Sequence, residues 1–122
     1  AVGGLQCEDF LDAGGSGGPT AREGQEVVVK FALRPGKKAA QVLERGEVGC
    51  RIGEAEVLDG WVDGQVDLEE VLGRWSRGLV GMRVGGKRRV HIGPKQGFRE
   101  GGGDIAPAGA ELLWDVELKK LK

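Results

Sequence analysis

The chain has 122 residues, and its hydrophobic and charged fractions, 39% and 30%, are ordinary for one globular domain spanning residues 1–122. Its formal net charge of −1 gives no electrostatic reason to expect nucleic acid or an anionic membrane as a partner. No apolar run approaches the ~20 residues that a membrane span requires.

The first half of the chain predicts short strands separated by turns. Strands are expected at three stretches: residues 5–11, 26–33 and 50–52. Residues 13–18 are a glycine–serine loop, and Pro35-Gly36 in the sequence RPGKK indicates a turn. The stretch 39–49 favours neither strand nor helix.

Two near copies of one hexapeptide follow, EVLDGW at 56–61 and EVLGRW at 70–75. The two copies begin fourteen residues apart, at 56 and 70. This offset predicts an insertion of roughly fourteen residues, at about 62–75. A helix is predicted over 68–80, with Asp67 as its cap and Glu70 three residues on, as in a capping box. Two interpretations stay open: this segment extends a helix that packs on the sheet, or its apolar residues contact a partner or the mouth of a pocket.

The second half predicts two more strands. Gly85-Gly86 supplies a tight turn, and residues 87–92 then alternate with a period of two until Gly93-Pro94 ends the strand. Residues 112–119 alternate again, which predicts a strand with one buried face and one wet face.

The cysteines and the single histidine do not predict a metal or cofactor site. Cys7 and Cys50 occupy strand-like apolar positions, so we expect two buried free thiols and no disulfide. His91 lies on a predicted strand with no second ligand at a recognised spacing, and is more typical of a surface residue than of a metal ligand.

The order and spacing of several short motifs resemble the FKBP-type peptidyl-prolyl isomerases. The matching residues are Gly60-Trp61, Gly81-Met82, Gly85 to Arg88, Ile92 to Pro94 and the closing LLWDVEL at 112–118. Gly4-Leu5-Gln6 and residues 24–31 look like the opening strands of that family. The resemblance implies an α+β fold, an antiparallel β half-barrel wrapped around one short helix, here with an inserted helical segment.

The same resemblance implies a pocket for a proline ring between helix and sheet. Its residues would be Phe31, Val57, Leu58, Trp61, Phe98, Ile105 and Trp114. Whether Trp61 or Trp75 forms the floor stays open, because both hexapeptides end in tryptophan. Each of these residues is also compatible with an ordinary core position, the more usual role of an aromatic residue on a strand.

Several polar groups of the family pocket have no obvious counterpart here. Ala39-Ala40 stands where the family has Phe-Asp, and Phe31 and Phe98 stand where it has tyrosines. These positions predict a degenerate site with weak or no catalysis. The favoured function is therefore a binding or assembly module, with an active prolyl isomerase as the alternative and a macrolide receptor as a third, less favoured class.

The partner expected from this resemblance is a protein or a proline-containing peptide, within a larger complex that could be associated with photosynthetic membranes. The sequence MRVGGKRR at 82–89 is similar to family members of the chloroplast thylakoid lumen. The chain begins with Ala1 and not with Met, so we expect either removal of a targeting segment or truncation.

Overall fold

In the residues that the computed structural model describes, 1–10 and 18–122, six strands form one antiparallel sheet. The strands are β1 (Gln6–Asp9), β2 (Glu26–Pro35), β3 (Glu44–Arg51), β4 (Val57–Val62), β5 (Lys87–Ile92) and β6 (Leu112–Leu121). Their spatial order is β1-β5-β6-β2-β3-β4, and the sheet is not closed. The predicted α+β half-barrel is therefore confirmed.

One short helical segment, residues 68–79, packs on the sheet in three pieces. A 3₁₀ turn (Leu68–Glu70) leads into helix α1 (Leu72–Trp75), and a second 3₁₀ turn (Ser76–Leu79) ends it. The predicted helix over 68–80 is confirmed in position, although it is not one continuous α-helix. Asp67 caps its start as expected, with Oδ1 accepting from the backbone N–H of Glu69 at 3.1 Å.

The central strands β2 and β6 carry the alternation that the sequence predicts. On β2, Val27, Val29, Phe31 and Leu33 are all 3% exposed or less, while the residues between them face the outer side. On β6 the core-facing side chains are Leu112, Trp114, Val116 and Leu118. Because a strand turns successive side chains to opposite faces, the core lies on one face of the sheet, under the helical segment.

Three local predictions differ from the structure. The first strand is shorter than 5–11, and residues 11–17, with most of the expected glycine–serine loop, lie outside the described part of the chain. The strand expected at 50–52 is the end of the longer β3, which starts within the stretch left unassigned. The hexapeptide 56–61 forms most of edge strand β4, whereas the hexapeptide 70–75 forms the helix.

Cys7 lies on β1 and Cys50 on β3, and three strands separate them in the sheet. At about 4.8 Å between neighbouring strands, their backbones are much farther apart than the ~7 Å that a disulfide permits. Both thiols are free, Cys50 fully buried and Cys7 half-buried. Burial raises the pKa of the Cys50 thiol to about 11.

Candidate functional site

Four aromatic residues from the sheet, the helix and the β5–β6 connection meet between helix and sheet. They are Phe31, Trp75, Phe98 and Trp114, called the aromatic cluster below. The Trp75 ring centroid lies 5.2 Å from that of Phe98 and 5.7 Å from that of Trp114, and Trp114 lies 6.3 Å from Phe31. All four are 3% exposed or less, so the cluster is closed to solvent.

The helical segment places Trp75 in this cluster because its apolar residues recur with helical spacing. Val71, Leu72, Trp75 and Leu79 fall on one face and are fully buried. The indole Nε1 of Trp75 donates to the carbonyl of Gln96 at 2.8 Å. The polar edge of the ring is thus used to hold the β5–β6 connection against the helix.

A buried carboxylate, Glu44, lies on the same face of the sheet. It begins β3, has no exposed surface, and accepts a hydrogen bond from the backbone N–H of Gln65 through Oε1 at 2.9 Å. Glu44 pairs in register with Leu33 on β2, and Leu33 pairs with Trp114 on β6. Leu33 therefore separates Glu44 from the aromatic cluster.

Two polar atoms at this place have no hydrogen-bond partner among the described residues, Oε2 of Glu44 and Nε1 of Trp114. An unsatisfied buried polar atom typically costs about 1–3 kcal/mol. Such atoms are infrequent in folded proteins and are often completed by an ordered water or a ligand. Within the described residues, the aromatic cluster thus contains one donor without a partner, Trp114 Nε1, while the acceptor without a partner, Glu44 Oε2, lies beyond Leu33 on the same face of the sheet.

The sequence-based assignment missed Glu44. Ala39 and Ala40, predicted as the degenerate positions, lie in the β2–β3 connection; Ala40 is exposed, and the carbonyl of Ala39 accepts from Arg34 Nη1 at 2.9 Å. The carboxylate appears four residues after Ala40, at the end of the sequence Val42-Leu43-Glu44. An apolar pair followed by an acid was the available signal, but only the structure shows that the intervening residues form a longer turn.

The three predicted pocket residues of the first hexapeptide lie apart from the aromatic cluster. Val57, Leu58 and Trp61 are on edge strand β4, and Trp61 is 54% exposed. A groove of about 300 Å³ runs between β4 and the start of the helical segment, and Val57 and Trp61 line it together with Val48, Val66 and Leu68. The helical tryptophan of the cluster is thus Trp75, while Trp61 lies on the protein surface at the edge of this groove.

Trp61 also borders a second groove, of about 260 Å³, on the outer face of the sheet. Its walls include Lys30, Ala32 and Arg45, whose side chains point away from the core. Neighbouring charges neutralise much of this face: Asp115 pairs with Arg34 at 3.1 Å and with Arg89 at 2.7 Å. Of the four residues of the aromatic cluster, only Phe31 is among the residues that line this groove.

The connection between β5 and β6 covers one side of the cluster. Residues 98–106, called the rim loop below, begin at the buried Phe98 and end at the buried Ala106, with the partly buried Ile105 packed on the core. Ile105, one of the predicted pocket residues, is thus part of the rim loop. Asp67 donates its backbone N–H to the carbonyl of Gly101 at 2.7 Å, which ties the loop to the helical segment.

No group of three or more His, Cys, Asp or Glu side chains that could hold a metal ion occurs in residues 1–10 and 18–122. His91 is on β5 as predicted, with Nε2 lying 3.3 Å from Glu8 Oε2 at the protein surface. In the same part of the chain, no helix has the length and hydropathy needed to cross a membrane.

Comparison with known sequences gives one family and several full-length relatives. A sequence model described as FKBP-type peptidyl-prolyl cis-trans isomerase matches residues 17–119. FK506-binding protein 1A of Neurospora crassa is 31% identical over 123 residues, covering 98% of this chain and 89% of that protein. The FK506-binding protein of Neisseria meningitidis serogroup B is 30% identical over 124 residues and covers 98% of both chains.

Solved structures give the same result for the fold. The crystal structure of AtFKBP13 is 26% identical, with a TM-score of 0.61 over 98% of this chain and 94% of that one. A peptidyl-prolyl cis-trans isomerase from Pseudomonas syringae is 20% identical, with a TM-score of 0.59 over 98% of this chain and 76% of that one. At that identity the second match supports the fold alone.

Proposed function

The chain belongs to the FKBP-type peptidyl-prolyl cis-trans isomerase family, and from this premise we propose that it binds proline-containing protein segments at the aromatic cluster and isomerises them only slowly. In this proposal the protein acts mainly as a binding or assembly module within a larger complex. An efficient prolyl isomerase is the alternative.

Catalysis of prolyl isomerisation requires little of the protein beyond a binding site of the right shape from which water is excluded. Rotation about the imide bond breaks no σ-bond, and the barrier of ~18–20 kcal/mol comes from loss of resonance. A catalyst needs to bind the twisted state more tightly than either planar isomer. An apolar aromatic wall favours the less dipolar twisted state, and fixed hydrogen-bonding groups discriminate further between the twisted and planar forms.

The observation that carries the proposal is the composition of the aromatic cluster. Phe31, Trp75, Phe98 and Trp114 supply an apolar wall, but no side-chain hydroxyl is among them. The chain contains no tyrosine at all, so no neighbouring residue can supply a phenol. Such a site can hold a proline ring, and holding substrate and transition state equally gives binding without rate.

Glu44 is the reason to propose slow catalysis and not its complete absence. Its carboxylate lies on the core face two strands from Trp114, and its Oε2 is without a partner. Leu33 keeps this carboxyl group out of contact with the cluster, so it would act on the changing dipole of a bound imide through space, across an interior of low dielectric constant. The same observation favours the alternative function, so Glu44 is the residue on which the two candidates can be separated.

Magnetisation-exchange NMR on an Ala-Leu-Pro-Phe peptide tests the proposal, because it measures the cis–trans rate and binding in one sample. We expect saturable binding and an acceleration below about tenfold. Glu44→Gln, which keeps the shape but removes the charge, should abolish the residual acceleration and keep the binding. Glu47→Gln is the matched control, since Glu47 lies on the same strand but on the outer face.

Two outcomes of this experiment would contradict the proposal. An acceleration above about 1,000-fold, equivalent to about 4 kcal/mol, would establish the efficient isomerase instead. If the peptide does not bind at all, a prolyl segment is not the ligand of this site. The chain would then belong to the family without using the aromatic cluster for peptide binding.

The proposal includes a setting as well. The sequence similarity of residues 82–89 to lumenal family members supports a place in the chloroplast thylakoid lumen, in a complex associated with photosynthetic membranes. Fractionation of the source cells followed by native electrophoresis and immunodetection tests both parts. Recovery as a free monomer would contradict the complex, and recovery outside lumenal fractions would contradict the location.

A further inference from the structure

The rim loop, residues 98–106, is attached to the helical segment by a carboxylate and not only by packing. Glu70 reaches across from the first 3₁₀ turn and accepts the consecutive backbone N–H groups of Arg99, Glu100 and Gly101. Three amides converging on one carboxylate form a small anion-binding concavity. Glu70 therefore does not complete the capping box that the sequence predicts at Asp67.

The local geometry of the loop is built around this contact. A Cβ at Gly101 would overlap the Glu70 carboxylate and the side chain of Asp67, and a Cβ at Gly102 would overlap the carbonyl of Ala106. Only glycine permits so close an approach of the loop backbone to the helical segment. The loop is thus shaped to receive Glu70 at one point and to fold back on itself at the next.

The rim loop covers the aromatic cluster through residues at both of its ends. Phe98, at the start of the rim loop, packs edge-on against Trp75, and Ala106, at its end, is fully buried. The residues just before the loop are also held, because Arg74 Nη2 donates to the carbonyl of Gly97 at 3.0 Å. The loop is part of the cover over Trp75 and Trp114, which have no exposed surface, so a proline ring could reach them from this side only if the loop moved.

We propose that the rim loop is an autoinhibitory strap, which Glu70 holds shut over the aromatic cluster and which opens when the three amides release the carboxylate. The fold then contains a closed state that excludes ligands and an open state that admits them. The statement that a prolyl segment enters on opening rests on the proposed function, whereas the statement that Glu70 controls closure does not.

The test compares two neighbouring carboxylates on the same 3₁₀ turn. Glu70→Gln weakens the contact with the loop, while Glu69→Gln is the control, because Glu69 Oε2 accepts the N–H of Val57 on β4 at 2.9 Å and does not contact the loop. Both are made in a Trp61→Phe background, so that acrylamide quenching reports the two buried tryptophans alone. Far-UV circular dichroism establishes that each variant is folded.

We expect Glu70→Gln to raise the quenching constant about threefold or more, and to speed hydrogen exchange at Arg99 and Gly101 about tenfold, with Glu69→Gln unchanged. Gly101→Ala provides a second opening from the loop side, since its methyl group displaces the same carboxylate. Unchanged quenching and exchange in both Glu70→Gln and Gly101→Ala would overturn the proposal and leave Phe98 and Ala106 packing as the sole cause of closure. If Glu70→Gln fails to fold, the result with Gly101→Ala decides.

NMR titration with the Ala-Leu-Pro-Phe peptide separates the strap from the proposed function. Tighter binding by the opened variants supports both. Opening without tighter binding supports Glu70 as the closing contact and overturns entry of a prolyl segment at this site.

Discussion

Two tryptophans that end near-identical hexapeptides provide the sharpest test of the structure. Trp75 is fully buried, packs against Phe98 and Trp114, and donates a hydrogen bond to Gln96. Trp61 is 54% exposed on an edge strand. Replacing each by alanine removes the same atoms from nearly the same local sequence, so the difference measures mainly the structural environment of the two rings.

The expected difference is large. Truncation of a buried tryptophan to alanine costs about 3–5 kcal/mol, and loss of a net hydrogen bond adds about 1 kcal/mol, so Trp75→Ala should lower the free energy of unfolding by about 4–6 kcal/mol. Trp61→Ala should cost less than about 1 kcal/mol, as is usual for a largely exposed side chain. For a urea slope of about 2 kcal/mol per M, the midpoint should fall by about 2–3 M for Trp75→Ala alone.

Urea unfolding followed by far-UV circular dichroism measures both variants without depending on tryptophan fluorescence. Since a domain of this kind has about 5–15 kcal/mol of stability in all, Trp75→Ala should remain measurable or be unfolded outright, and either result is much larger than the effect at Trp61. Equal effects, or a larger effect at Trp61, would refute the assignment of the second hexapeptide to the core.

Three further predictions concern single groups. Burial raises the pKa of the Cys50 thiol to about 11, so at pH 8 this thiol should react with a disulfide reagent only as fast as the domain unfolds. The half-buried Cys7 should react first, and equal reaction rates of the two thiols would contradict this prediction. Hydrogen bonds from the loop amides, that of Arg99 above all, lower the pKa of the Glu70 carboxyl group from its usual 4.5. The contribution of Glu70 to stability is therefore complete above pH 4.5 and is lost as the pH falls through the lowered pKa. Acrylamide quenching should rise over that pH range, and the rise should be absent in Glu70→Gln. Arg88 is 7% exposed and binds Asp9 at 2.6 Å and two backbone carbonyls at 2.8 Å. In urea unfolding, Arg88→Ala should therefore lower the free energy of unfolding by about 3 kcal/mol and Asp9→Ala by about 1 kcal/mol. A larger loss in Asp9→Ala would show that the carbonyl contacts contribute little.

Period-two alternation was sufficient to predict the strands near the centre of the sheet. Along most of β5 and β6 one set of alternate residues is buried, and the other set is partly or fully exposed except for Leu113, so burial leaves a direct mark on the sequence. Edge strand β4 carries no such mark, because neither of its faces is well buried. Its residues were therefore indistinguishable from those of the helix by local pattern alone.

What decides between the two hexapeptides is the sequence around them. After the second copy the apolar spacing continues to Leu79, and Asp67 caps the start, so a helix can bury one face over three turns. After the first copy comes Val62-Asp63-Gly64, where Gly64 has φ +82° and ends the element. Gly60, at φ +126°, could not continue a helix either. Glu44 was missed because motif spacing alone does not give the length of the connection between β2 and β3.

The tryptophans at 75 and 114 offer a last prediction, which concerns the polar atoms of the closed cluster. Trp→Phe removes similar ring volume at each position, but only Trp75 Nε1 has a partner, the carbonyl of Gln96. At position 75 the change removes this hydrogen bond, worth about 1 kcal/mol, and leaves the Gln96 carbonyl with only the longer contact from Arg74 Nη2 at 3.3 Å. At position 114 it removes a donor that has no partner among the described residues and whose burial costs about 1–3 kcal/mol. Trp114→Phe should therefore be less destabilising than Trp75→Phe by about 2 kcal/mol in urea unfolding. Equal losses would mean that Trp114 Nε1 is satisfied in solution by an ordered water, and a water bound there would make the floor of the cluster a hydrated site instead of a dry one.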